Sequence, residues 1–224
     1  MINDNENLRI EFDRAYDFLR GYFGVVAEHP PVDIAITEES NIPGFHWPSY
    51  TVHLCTFDVH NHYCLGEEAA HVLHYNVNAF PFAEQRRLIE FGVSKGGIRD
   101  ERIEALVTVL SMGTLIELIG QLGALAYEAT FGGDMDRIMR EVQQFCRDTN
   151  FKYKSMVSDS TNNRKRVSID EIKYDVIHAA GYNIACHLFI EKITLPQRAM
   201  LLQAQNMDDV RRMLGEELLP KSIW

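Results

Sequence analysis

Cysteine is scarce in this 224-residue chain, and the four present, Cys55, Cys64, Cys146 and Cys186, form no Cys-x-x-Cys pair. That spacing excludes a zinc ribbon and a dithiol redox motif. The N-terminus, Met1-Ile-Asn-Asp-Asn-Glu-Asn, is acidic and polar, without the layout of a secretion signal. A disulfide framework is therefore not expected, and the cysteines read as reduced thiols. No unbroken run of about 18 apolar residues occurs, so no membrane span is expected. Positive charge is also short: 22 Lys and Arg stand against 32 Asp and Glu, a net charge of -10. Such a chain is a poor non-specific binder of nucleic acid or anionic membrane and is compatible with cations. The one basic triplet, Arg164-Lys165-Arg166, sits in a polar stretch, 152–168, that reads as an exposed loop. No internal repeat and no long linker break the chain. These absences lead to the expectation of a cytoplasmic protein of one domain, residues 1–224.

What is present is enough for a core: 46% of residues are hydrophobic and 24% charged. Apolar residues at helical spacing predict a helix over 5–23. Val32–Thr37 and Ser49–Thr56 alternate and are β-branched, so both read as strands, joined by a loop at Glu38–Gly44. Beyond Pro81 the pattern is helical: Ala83–Phe91, a long helix over Arg99–Tyr127, Met135–Cys146, and a helix capped by Ser168 with Glu171 that runs to Lys192. Pro196 opens the last helical section, which ends at Leu219. The expected class is α+β, with a small, mostly antiparallel sheet at about 30–60 and a predominantly helical remainder from about 65 to 224.

The chemistry-bearing stretch is Glu67-Glu68-Ala-Ala-His71-Val-Leu-His74. On a helix each residue advances about 100°, so Glu67 and His71, Glu68 and His71, and His71 and His74 are neighbours on one sector. A carboxylate and an imidazole one turn apart converge on a point where one ion can sit. The same residues also make an ordinary solvated helix face. Six of the nine histidines, His46, His53, His60, His62, His71 and His74, fall within 46–74. That clustering favours a metal or proton-transfer site. Downstream, Glu117 lies in an apolar section, where a carboxylate needs a partner, a cation or an exposed edge. Glu104 is a weaker candidate of the same kind. On the late helix Asp175, His178 and Tyr182 share a face.

The order strand, loop, strand, Glu-x-x-His helix, further helices resembles the zincin-like metallopeptidases over roughly residues 30–80, and more loosely as far as His178. Their motif is His-Glu-x-x-His on a helix, in which two His bind zinc and the Glu activates the attacking water. The strand before that helix binds extended peptide, a third ligand often comes from a later helix, and a Tyr or His stabilises the oxyanion. The resemblance implies Glu68 as general base and His71 as second ligand. Glu67 stands where the family has its first His. Glu117, Glu104 or His74 is the implied third ligand, and His178 or Tyr182 the implied oxyanion stabiliser. Zinc is the implied ion, and a peptide or protein in extended form the implied substrate or partner. A Glu ligand lowers the Lewis acidity of the ion, so the expectation is a metal-dependent hydrolase of atypical or lost activity.

Two other readings stand beside it. A dinuclear iron or manganese site would use Glu68-x-x-His71 and Asp175-x-x-His178, with Glu11 and Glu104 or Glu117 as single carboxylates. The strands at 32–56, and Asp for Glu in the second pair, depart from that pattern. A non-catalytic interaction protein would bind an extended partner along the two-strand edge.

Overall fold

The structure, a computed structural model, describes residues 4–28, 32–37, 44–55, 61–94, 99–145, 147–148 and 169–219. At some element ends, 91–94, 99–104 and 169–175 among them, it describes the backbone alone. The expected loop at 152–168 with its basic triplet, and the Ser168–Glu171 cap, lie outside these limits.

Helix α1, Asp4–Phe23, carries Leu8, Phe12, Ala15, Tyr16, Leu19 and Phe23 on one fully buried stripe. Its outer face carries i,i+3 and i,i+4 ion pairs, Arg9–Asp13 and Arg20–Asp17. Three short strands follow: β1, Asp33–Thr37; β2, Gly44–His46; and β3, Thr51–Cys55. Then come α2, His62–Val77; α3, Phe80–Ser94; α4, Arg99–Tyr127; and a π-helical turn, Glu128–Gly132, closed by Gly133 at φ 86°. Helix α5 covers residues 135–145, and α6, Ile169–Ile190, α7, Leu195–Leu201, and α8, Met207–Leu218, complete the chain. The α+β class holds, with a mostly helical protein and one small sheet near the N-terminus.

The sheet is mixed, a correction to the mostly antiparallel sheet expected. Its order is β1-β3-β2. After β1 the chain crosses to the far edge as β2, then returns through the turn at 47–50 to run up the middle as β3. So β3 is antiparallel to β2, over three pairs from Gly44↔His53 to His46↔Thr51. It is parallel to β1 over five, from Asp33↔Thr51 to Thr37↔Cys55. β2 was not expected because a strand of three residues, the first of them the glycine of Pro43-Gly44, gives no period to detect. Val52 and Leu54 are fully buried, as the alternation of β3 requires.

Helix α4 is the spine. It packs along α2 on one side and α6 on the other, and α3 lies against it as well. Contacts fix the directions. Gly66 of α2 meets Gly123, Ala124 and Tyr127, while His71 meets Gly120, so α2 and α4 are antiparallel. Ile177 meets Gly113, while Gly181 meets Glu117, so α6 runs parallel to α4. A methyl on Gly123 would lie 2.5 Å from Ala70 Cβ, so only glycine permits this approach. Leu65, Leu73, Leu115, Leu118, Ile119 and Leu122 are fully buried in and around the seam, each contributing about 1.5–3 kcal/mol of apolar burial.

The reading of a solvated helix face does not hold at the centre of α2: Cys64–Gly66 and Glu68–His74 are all buried. Glu68, His71 and His74 are thus interior, and each needs a partner. The segment Val107–Gly132 is long and apolar enough to cross a membrane, with a mean hydropathy of 1.6 in its best window, although 83% of that window is buried inside the protein. It passes although it carries Glu117 and Glu128, because its other polar residues are uncharged. Cys64 and Cys186 are buried thiols.

Candidate metal centre

Helix α2 starts at Asn61, whose side chain accepts a hydrogen bond from Cys64 N at 3.2 Å. That fixes the register of Tyr63, Glu67 and His71, each one turn further along. Glu117 and Gln121 have the same four-residue spacing on α4. Because the helices are antiparallel, His71 faces the level of Glu117 and Gly120, and Glu67 that of Gln121. Ligand atoms of Glu67, His71 and Glu117 all lie within 4.8 Å of one another.

Glycine makes the convergence possible. A Cβ on Gly120 would lie 2.4 Å from His71 Cε1 and 2.6 Å from its Nε2. A Cβ on Gly181 of α6 would lie 2.5 Å from Glu117 Cβ. Both neighbours of α4 come close enough for their side chains to meet because these positions carry none.

The remaining contacts are specific. Gln121, 1% exposed, donates from Nε2 to Glu67 Oε1, and the Tyr63 hydroxyl donates to Gln121 Oε1. His178 Nε2 is 3.3 Å from Glu117 Oε2. Glu68, also buried, borders the same cavity of about 280 Å³. Phe45, Trp47, Phe82, Gln85 and Ile116 line it too. Among the described residues no Lys or Arg lines it.

Burial pushes the Glu67 carboxyl up to about 7, against the pull of the Gln121 hydrogen bond. Burial raises Glu117 well above the carboxylate range, and the nearby Glu67 charge adds to it. Burial lowers His71 to about 3, helped by His178. The cluster thus has two carboxyls that resist ionisation and a neutral imidazole, the donor form for a metal. A buried His71 Nδ1 and Glu117 Oε2 have no hydrogen-bond partner among the described residues, although Glu117 Oε2 faces His178. A tetrahedral ion with bonds of about 2.1 Å spaces its donors about 3.4 Å apart. The observed limit of 4.8 Å is wider, so the three residues could hold a divalent ion once they draw together on it.

The other candidates are placed as follows. His74 is fully buried, 5.1 Å from the Phe82 ring, and is not one of the converging donors. Tyr182 packs on His178 with centroids 6.0 Å apart but lines a second cavity with Tyr63, Arg137 and Phe145. Glu11 of α1 pairs with Arg14 at 3.6 Å. The side chains of Glu104 and Asp175, and all of His60, lie outside the described residues. Of the other described histidines in 46–74, none is a converging donor: His46 Nδ1 bonds Ser49 Oγ at 2.7 Å, His53 lies beside His46, and His62 beside Tyr127.

Gln121, Tyr63 and the aromatic wall were not foreseen. The signal for the first two was there: Tyr63 precedes Glu67 by four residues, and Gln121 follows Glu117 by four and is the one polar side chain between Glu117 and Tyr127. Comparison with family models, curated proteins and solved structures returns no match, so the reading of this centre rests on its own geometry.

Proposed function

We propose that Glu67, His71 and Glu117 hold one divalent ion, zinc first, and that the centre hydrolyses an amide in a peptide or protein bound in extended form. The observation that carries this is the convergence of two carboxylates and one imidazole, from two helices, at a cavity that no Lys or Arg lines among the described residues. Such an ion supplies Lewis acidity to a carbonyl and to water.

The chain's own residues divide the rest of the work. Glu68, next to the ligand Glu67 and bordering the cavity, takes a proton from the attacking water. The water oxygen adds to the carbonyl carbon, the C–N bond breaks, and Glu68 returns the proton to the departing nitrogen. His178, on the far wall beside Glu117, supports negative charge developing on the carbonyl oxygen. An extended substrate has one edge available here. β3 is hydrogen-bonded on both sides, whereas β2 is an edge strand whose Gly44 and Phe45 border the cavity. Phe45, Trp47 and Phe82 then face its side chains.

A second reading follows from the His178–Glu117 contact: with Glu117 shared, His178 would serve a second ion, as in dinuclear carboxylate sites. Cleavage of a mixed peptide library by zinc-loaded protein, abolished by Glu68→Gln without loss of zinc, supports the hydrolase. No cleavage by fully loaded protein contradicts it. Two ions per chain would support the dinuclear reading instead.

A further inference from the structure

Glu67 is the residue that separates this centre from a His-Glu-x-x-His site, and the contacts behind it are unusually complete. Its Oε1 accepts from Gln121 Nε2, and Gln121 Oε1 accepts from the Tyr63 hydroxyl. Gln121 is almost wholly buried, so its amide finds no water to replace either bond. The three residues come from the turn of α2 before the ligand, the facing turn of α4, and the ligand itself.

We propose that Tyr63 and Gln121 are positioning residues that make Glu67 a ligand through one oxygen only; this rests on the metal reading above. A glutamine amide presents a donor on one side and an acceptor on the other. Turned the wrong way, its oxygen would face the carboxylate and repel it. The Tyr63 hydroxyl, donating to Oε1, holds the amide the right way round. The N–H then engages Glu67 Oε1 and leaves Oε2 for the ion. A carboxylate held so cannot swing to grip the ion with both oxygens, and Glu67 takes the single-atom role that an imidazole has in the related motif. Partners behind metal ligands orient them in this way, and removing one weakens binding by about 10–100-fold.

Tyr63 also borders the second cavity, of about 290 Å³, between the start of α2, α5 and α6.

The test is cobalt(II) and zinc(II) titration of the full chain, with Tyr63→Phe and Gln121→Leu beside the wild type. Far-ultraviolet circular dichroism and thermal melting of the metal-free proteins check the fold. Tyr63→Phe keeps the ring and removes one hydroxyl, so it keeps the test open should Gln121→Leu fail to fold. The expected result is ion affinity lower by 10–100-fold in Gln121→Leu and about tenfold in Tyr63→Phe. The visible band of bound cobalt should also weaken and shift as Glu67 is freed to use both oxygens. A structural role alone would lower the melting temperature and leave that band unchanged. Folded variants with wild-type affinity and an identical band would overturn the positioning role while leaving the metal centre intact. A wild type that takes up neither ion would overturn both.

Discussion

Gly120→Ala places a methyl group into the contact that forms the centre. The added Cβ would lie 2.4, 2.6 and 3.1 Å from His71 Cε1, Nε2 and Nδ1, whereas carbon atoms pack best at about 3.5–4.0 Å. Relief requires α2 and α4 to part, or the ring to tip, by about 1 Å. His71 is only 7% exposed and its helix is buried all round, so the ring has no free direction. Overpacking of this kind costs about 1–3 kcal/mol. Replacing a mid-helix glycine by alanine returns about 1 kcal/mol. The net expected loss of stability is about 0–2 kcal/mol, small beside the functional effect. A donor moved by about 1 Å no longer meets an ion whose bonds are about 2.1 Å long, so affinity should fall by more than tenfold. Gly21→Ala is the control: nothing lies within 4 Å of its Cβ, and it should stabilise by about 0.5–1 kcal/mol. Urea unfolding gives the stabilities and metal titration the affinities. If Gly120→Ala stabilises like Gly21→Ala and binds metal like wild type, the close seating of α2 on α4 at His71 is wrong.

Three further outcomes follow. Because Glu67 and Glu117 hold protons above the ordinary carboxylate range, the ion must displace them; affinity should rise with pH through about 7, with protons released on binding in calorimetry in two buffers of different ionisation enthalpy. His74, lowered to about 3 by burial and then by His71, is neutral in the folded chain while the unfolded chain takes up a proton near 6.5. Its contribution is therefore complete above about pH 6.5 and is lost as pH falls towards about 3, on the order of 4 kcal/mol in all, and His74→Leu should flatten that part of the pH–stability curve. Gly181→Ala sets a Cβ 2.5 Å from Glu117 Cβ and 3.0 Å from its backbone carbon, so thermal melting should show a net loss of about 0–2 kcal/mol after the helix-propensity gain, and metal titration a weaker site.

The parts legible in the sequence are those with long periods or a single misplaced charge. Arg99–Tyr127 shows its bounds because apolar residues recur at helical spacing over about eight turns. Glu117 stands out as a carboxylate in that apolar stretch, and Glu67 and His71 by their spacing. The structure brings these three together. What periodicity could not reveal is how helices meet. Nothing in 67–74 shows that α2 is enclosed on every side, because a buried polar face and a solvated one have the same pattern. The glycines of α4 were legible only as possible close-packing points, and which neighbour each admits depends on the partner helix. The parallel pairing of β1 with β3 depends on a three-residue strand too short to detect. Of the histidines within 46–74, only His71 is a converging donor among the described residues.

The most direct test of the central claim is the metal content of purified, tag-free protein, measured by elemental analysis after incubation with zinc and removal of excess, beside His71→Ala and Glu117→Gln. The account predicts about one zinc per chain in the wild type and its loss in both variants. No metal in the wild type, or the same zinc content in all three proteins, would contradict it.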